Sequence, residues 1–118
     1  MVSKPQQYGW VAVNDKNEVV NVSVKKPIST HPMNDHAVIG AFWFKEADIF
    51  KKATQRMLHE NRRINNEFYV DECINDAIAL GYKAKVFEAD KYICWGTPDD
   101  YETYNYWHSF FNDKKIFP

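Results

Sequence analysis

The chain has 118 residues, enough for one domain or one part of a larger one, and its hydrophobic share of 45% and aromatic share of 16% can supply a packed core. Charge is balanced, with 15 basic and 16 acidic side chains, which excludes the basic footprint of a nucleic-acid binder and the basic stripe of a protein held on an anionic membrane. No apolar run is long enough to span a bilayer, and residues 1–7 lack the apolar core of a secretory signal, so a cytoplasmic place is expected.

Residues 8–13 are rich in β-formers and predict a strand. Residues 14–17, Asn-Asp-Lys-Asn, carry turn chemistry, and residues 18–24 alternate, with Val20, Val22 and Val24 expected on one face of a hairpin. Gly9 is out of place in a plain strand; it marks either a bulge or a spot where something approaches the backbone. Lys25-Lys26-Pro27 ends the hairpin, and residues 28–35 read as a loop. Residues 36–44 form a nearly continuous apolar run that fits a strand buried on both faces, with Gly40 hinting at close packing or a ligand.

A helix is expected over residues 47–60, with Phe50, Ala53, Met57 and Leu58 on its inner face. A polar connector, 61–66, leads to a second helix over 70–80, with Val70, Ile74, Ala77 and Ile78 as its buried stripe and Gly81 as its stop. Residues 83–87 and 92–95 read as short strands. The chain then crosses Gly96 and enters a helix over 98–111, with Thr97 as N-cap, Pro98 in the first position, and Asp99 and Asp100 at the positive end of the dipole. Tyr101, Tyr104, Trp107 or His108, and Phe111 are expected on its inner side. Open α/β folds keep ligands at such strand-to-helix turns.

Cys73 and Cys94 are expected to be free thiols of a reducing compartment. Asn21-Val22-Ser23 matches a glycosylation sequon, which has no meaning without export. His31, His36, His59 and His108 show no metal-binding spacing. Tyr101, Tyr104, Tyr106, Trp107, Phe110 and Phe111 could stack on bases, but helical spacing and the absent basic charge favour packing or a subunit contact.

Gly-Ala-Phe-Trp-Phe-Lys, Asn-Glu-Phe-Tyr-Val-Asp, Lys-Val-Phe-Glu-Ala-Asp-Lys-Tyr and Trp-Gly-Thr-Pro-Asp-Asp follow one another in this order. Order and spacing resemble the C-terminal half of the sugar-phosphate nucleotidylyltransferases, over residues 8–107. The resemblance implies an α/β fold, a partial doubly wound (GT-A-like, nucleotide-diphospho-sugar transferase) mixed sheet with three helices, in which residues 1–118 form a single partial domain. It implies a reaction in which a hexose 1-phosphate oxygen attacks the α-phosphorus of a nucleoside triphosphate and pyrophosphate leaves, with Mg²⁺ expected for the full-length enzyme. The family's first half carries a glycine-rich triphosphate loop with an Arg and a Lys. Here Gly9, Gly40, Gly81 and Gly96 are scattered, so that cradle is missing. The chain reads as the sugar-phosphate-binding half alone, whether a cut piece, a gene fragment or one chain of a split enzyme. It is expected to be inactive by itself. Its expected partners are a hexose 1-phosphate and either a second copy or a complementary nucleotide-binding half, with no nucleic acid and no membrane.

By the same resemblance Gly9 would offer its backbone N–H to a sugar hydroxyl, Val38 would line the sugar pocket, and Lys26 would contact the sugar phosphate as a point charge. Glu67 would lie near that phosphate, with Asn66 in place of a glycine, which the left-handed tolerance of Asn allows. Each has a plainer alternative: a bulge at Gly9, ordinary core at Val38, a solvated Lys pair at Lys26, and a dipole-favoured carboxylate at Glu67. Two positions depart from the family. Lys25 stands where an acidic residue binds sugar hydroxyls, and Cys94 stands where many members carry a metal-binding Asp, so no metal ligand is assigned. The rival expectation is a binding or oligomerisation module, driven by exposed strand edges along 36–44.

Overall fold

The computed structural model describes residues 4–114; residues 1–3, part of the segment read for a secretory signal, lie outside them. The fold is mixed α/β, with β1 (Gly9–Val13), β2 (Val19–Val24), β3 (His36–Ala37), α1 (Ala47–His59), α2 (Val70–Ala79) and α3 (Pro98–Lys114), plus short 3₁₀ turns at Pro5–Gln7 and Pro32–Asn34. The strands form one sheet in the order β2-β1-β3, antiparallel at both pairings. The chain divides into two compact units, one ending at Phe87 and one beginning at Glu88.

In the first unit the hairpin forms as expected. Asn14 organises its turn, its side-chain oxygen accepting from the N–H groups of Lys16 and Glu18. The expected common face of Val20, Val22 and Val24 is broken, however. Ala12 pairs with Asn21 and Val13 with Val19, so one extra residue is inserted into β2. Such a bulge inverts the in–out parity, and Val19 is buried while Val20 is 53% exposed.

The strand expected over 36–44 is reduced to His36–Ala37. Val38 still donates its N–H to Gly9 O at 2.8 Å, but Gly40 turns the chain at φ 90°, a conformation that glycine alone adopts freely. From Val38 to Phe44 exposure alternates: Val38, Phe42 and Phe44 are half-buried, whereas Ile39, Ala41 and Trp43 are exposed, Trp43 by 75%. Beyond Val38, which bonds β1, the alternation is broken at the exposed Gly40 and resumes from Ala41 to Phe44, where no described strand pairs with the chain.

Helix α2 packs against both α1 and the sheet. One side, Cys73 and Ala77, meets Ala53 and Met57 of α1, with Ile49, Phe68 and Tyr82 closing the cluster. The other side, Ile74 and Ile78, meets Val19, Val22 and Val24 together with Val11 and Val13. The stripes expected from apolar spacing are thus partly displaced: Phe50, Leu58 and Val70 are 38%, 48% and 41% exposed. Both helices end in Schellman turns. Arg62 N–H bonds Met57 O with Asn61 left-handed, and Tyr82 N–H bonds Ala77 O with Gly81 at φ 96°.

A fully buried carboxylate, Asp76, pins α2 to α1. Arg56 Nη1 donates to its Oδ1 at 2.9 Å and Arg62 Nη2 to its Oδ2, while Arg62 also bonds Glu72 at 3.2 Å and Glu60 at 2.6 Å. This pairing raises the Arg62 pKa, chiefly through the bond to Asp76.

The free edge of β2 is covered. Asn75 accepts from Val22 N–H and donates to Val22 O, both at 2.8 Å, so one carboxamide replaces a neighbouring strand. The strand expected over 83–87 exists only as a bridge between Lys85 and Glu18, with Val19 N–H bonding Ala84 O at 2.8 Å.

In the second unit residues 92–95 form no strand. The helix entry follows the expected chemistry: Thr97 Oγ1 accepts from Asp100 N–H at 3.1 Å, and Asp99 and Asp100 occupy the first turn of α3. Trp95 packs on Tyr101 and Tyr104, with ring centres 5.7 and 5.1 Å apart. Of the expected inner residues Tyr104 is half-buried, whereas Tyr101, Trp107 and Phe111 are 49%, 50% and 42% exposed. No described helix is long and apolar enough to cross a membrane.

Candidate functional site

The site residues meet where the hairpin end, the start of α2 and the residue after β3 come together. Gly9 pairs with Val24 in regular register, so it is not a bulge. Its reason is close approach. A Cβ added at Gly9 would collide with the Asp71 carboxylate and would press on Val38 Cγ2 at 3.3 Å. Gly9, Val38 and Asp71 therefore share one spot.

Lys25 leaves β2 in the left-handed region at φ 61°, which is uncommon for a long side chain. Its N–H still donates to Tyr8 O at 2.9 Å, its ammonium donates to Gln7 O at 3.0 Å, and it stands 5.5 Å from the centre of the Tyr69 ring. The ammonium is thereby tied to the end of β1.

Glu67 and Tyr69 reach the same place through a tight turn. Ile64 and Glu67 exchange both backbone hydrogen bonds, 2.8 and 3.0 Å, across Asn65 and Asn66, whose φ values are 50° and 66°. Two successive left-handed residues are what a type I′ turn requires, and Asn tolerates both positions. The Tyr69 hydroxyl donates to Glu67 Oε2 at 2.8 Å. That bond, then desolvation and the charges of Glu67 and Asp71, hold the phenol above its ordinary pKa. Glu67 is exposed and precedes the helix, so dipole stabilisation within α2 does not account for it.

Lys26 follows directly. Its carbonyl accepts from Ser23 Oγ at 2.8 Å, and its side chain is exposed, with no described residue bonding the ammonium. Gly9, Val38 and Asp71 thus form one contact and Lys25, Tyr69 and Glu67 another, joined where Tyr69 and Asp71 open α2, and Lys26 adjoins them through its neighbour Lys25 in the chain. Reading the sequence missed Asp71 and Tyr69. The available signal was the run Glu67, Tyr69, Asp71, alternate residues leading from a turn into the first turn of a helix.

Cys94 belongs to the second unit. Its Sγ accepts from Gly96 N–H at 3.4 Å and lies 3.5 Å from Asp100 Oδ2. A thiol beside one carboxylate does not fit Mg²⁺, which demands an octahedron of oxygen donors. Among the described residues no group of three or more His, Cys, Asp or Glu is placed to hold a metal. A shallow depression elsewhere, lined by Val13, Ile28, Asp35 and His36 among others, holds a hydrogen bond of 2.5 Å from Ser29 to Asp35.

Comparison with protein-family models, with curated proteins and with solved structures found no match.

Proposed function

We propose that this chain is the sugar-phosphate-binding half of a cytoplasmic nucleotidyltransferase of nucleotide-sugar and surface-polysaccharide synthesis, a partial doubly wound GT-A-like domain inactive by itself. The observation that carries the reading is that Gly9 and Val38 meet Asp71 while Lys25 and Glu67 meet Tyr69, two residues earlier at the start of α2, with the exposed Lys26 next in the chain to Lys25. An exposed ammonium at Lys26 suits a phosphate, and the backbone beside Gly9 suits a hydroxyl. The lysine pair offers two positive charges, while Glu67 and Asp71 offer acceptors, so the patch matches a ligand with an anionic end and a polyol end. The triphosphate cradle and the metal carboxylates would come from a complementary half, in keeping with the poor fit of Cys94 to Mg²⁺.

Calorimetric titration with glucose 1-phosphate, galactose 1-phosphate and mannose 1-phosphate tests the reading. At least one should bind, and Lys26→Ala should weaken it at least tenfold. Absence of binding for all three, or an unchanged affinity in Lys26→Ala, refutes it. Pyrophosphate release by the chain alone with a nucleoside triphosphate would refute the claim of inactivity.

A second reading, a non-catalytic oligomerisation module, is favoured by one observation. Ile39, Ala41 and Trp43 project from a strand-like segment without apolar cover. It expects a dimer in light scattering at micromolar concentration, reduced to monomer by Trp43→Lys; a wild-type monomer would remove it.

A further inference from the structure

We infer that Asp71 is the hydroxyl-accepting residue of this site, the group that lets it tell a phosphorylated sugar from bare phosphate; the inference rests on the sugar-phosphate reading above. A sugar is recognised largely through its hydroxyls, which are donors as well as acceptors, so the site needs a fixed acceptor. Lys25 and Lys26 supply none, since an ammonium only donates. Glu67 can accept as well, but it is exposed and one of its oxygens is engaged by the Tyr69 hydroxyl, which makes it the less fixed of the two carboxylates.

Asp71 differs from these. It is half-buried in the first turn of α2, and no N–H or O–H of another described residue donates to its carboxylate. A carboxylate in this state has unused lone pairs in a partly dehydrated place, where a hydroxyl donor is worth more than in water. It is also located rather than free to wander. The carboxylate rests where a side chain at residue 9 would stand, and Val38 Cγ2 bounds the same space. Gly9 makes room for it, which gives the glycine a reason independent of backbone conformation.

Charge places the ligand. Asp71 repels a phosphate, so the phosphate must lie toward Lys26 and the hydroxyls toward Asp71. The two ends of the ligand are thereby ordered along the patch.

The test is the ratio of two affinities measured on the full chain by calorimetry, for glucose 1-phosphate and for inorganic phosphate. Removing a negative charge strengthens both in common, so the ratio isolates hydroxyl recognition. Asp71→Ala should lower the ratio about tenfold, roughly 1.4 kcal/mol, with no loss of phosphate affinity. Lys26→Ala should weaken both ligands and leave the ratio in place. Asp71 is half-buried in the first turn of α2, and a wild-type-like urea midpoint verifies the fold of each variant; Asp71→Asn, which keeps the shape and a weaker acceptor, should fall between. If wild type binds and Lys26→Ala weakens it while neither Asp71 variant changes the ratio, the assignment of Asp71 is overturned and the sugar-phosphate reading stands. If wild type binds neither ligand, that reading falls and the assignment falls with it.

Discussion

Replacing Asp76 by Asn should be the most damaging single polar change in the first unit. The carboxylate is fully buried and receives Arg56 on one oxygen and Arg62 on the other. Charge-assisted hydrogen bonds contribute about 1.5–3 kcal/mol each, and breaking a buried pair by removing one partner costs about 3–5 kcal/mol. The arginine side chains are 28% and 35% exposed, so water recovers part of their solvation. That discount places the loss near the lower bound, about 3 kcal/mol. With a urea slope of about 1.5 kcal/mol per molar, the unfolding midpoint should fall by about 2 M. Arg62→Met should cost more than Arg56→Met, because Arg62 also bonds Glu60 and Glu72 whereas Arg56 otherwise meets, among the described residues, Glu60. A midpoint shift below about 0.3 M for Asp76→Asn would refute the reasoning, since it would mean that the two helices are held by their apolar contacts alone.

Three further outcomes follow from the packing. Gly9→Ala should destabilise by about 1–2 kcal/mol in urea unfolding, through overpacking against Asp71 and Val38, and Asp71→Ser in the same chain should recover most of it; a neutral Gly9→Ala would contradict the close approach. Asn75→Ala should cost about 2 kcal/mol, the loss of both bonds to Val22, and should raise aggregation seen by light scattering because the β2 edge is bared; unchanged solubility and stability would contradict that. Burial pushes the Cys73 thiol up, more than the bond with Thr54 lowers it, so the folded thiol keeps its proton to higher pH than the unfolded one. Its contribution to stability is therefore full below the ordinary thiol value of about 8.5 and is lost as pH rises beyond it, a slope that Cys73→Ala should flatten in urea titrations between pH 8 and pH 10; the same slope in both proteins would refute it.

The parts of the fold legible in the sequence are those fixed locally. Gly81, Thr97 and Pro98 set helix ends within a few residues of themselves, and Asn65-Asn66 needs only its own left-handed tolerance to make the turn before Glu67. What was illegible depends on partners distant in sequence. Val20 faces solvent because β2 carries an extra residue relative to β1, which alternation along one strand cannot reveal. The 36–44 run reads as a doubly buried strand, yet a strand needs a neighbour, and only its first residues find one in β1. Asp76 was overlooked because an apolar stripe has no place for a carboxylate, and its arginines lie 20 and 14 residues away. In the candidate site Gly9, Lys26, Val38 and Glu67 were legible as residues of interest; Asp71 was not, because the contact with Gly9 that defines it exists only after α2 docks on the hairpin.

One patch of the first unit is proposed to grip a phosphorylated sugar, and amide chemical-shift mapping with glucose 1-phosphate puts this to the test. Shifts should gather on Gly9, Lys25, Lys26, Val38, Glu67 and Asp71. Saturating ligand that leaves these amides unmoved, or moves a set elsewhere in the chain, would contradict it.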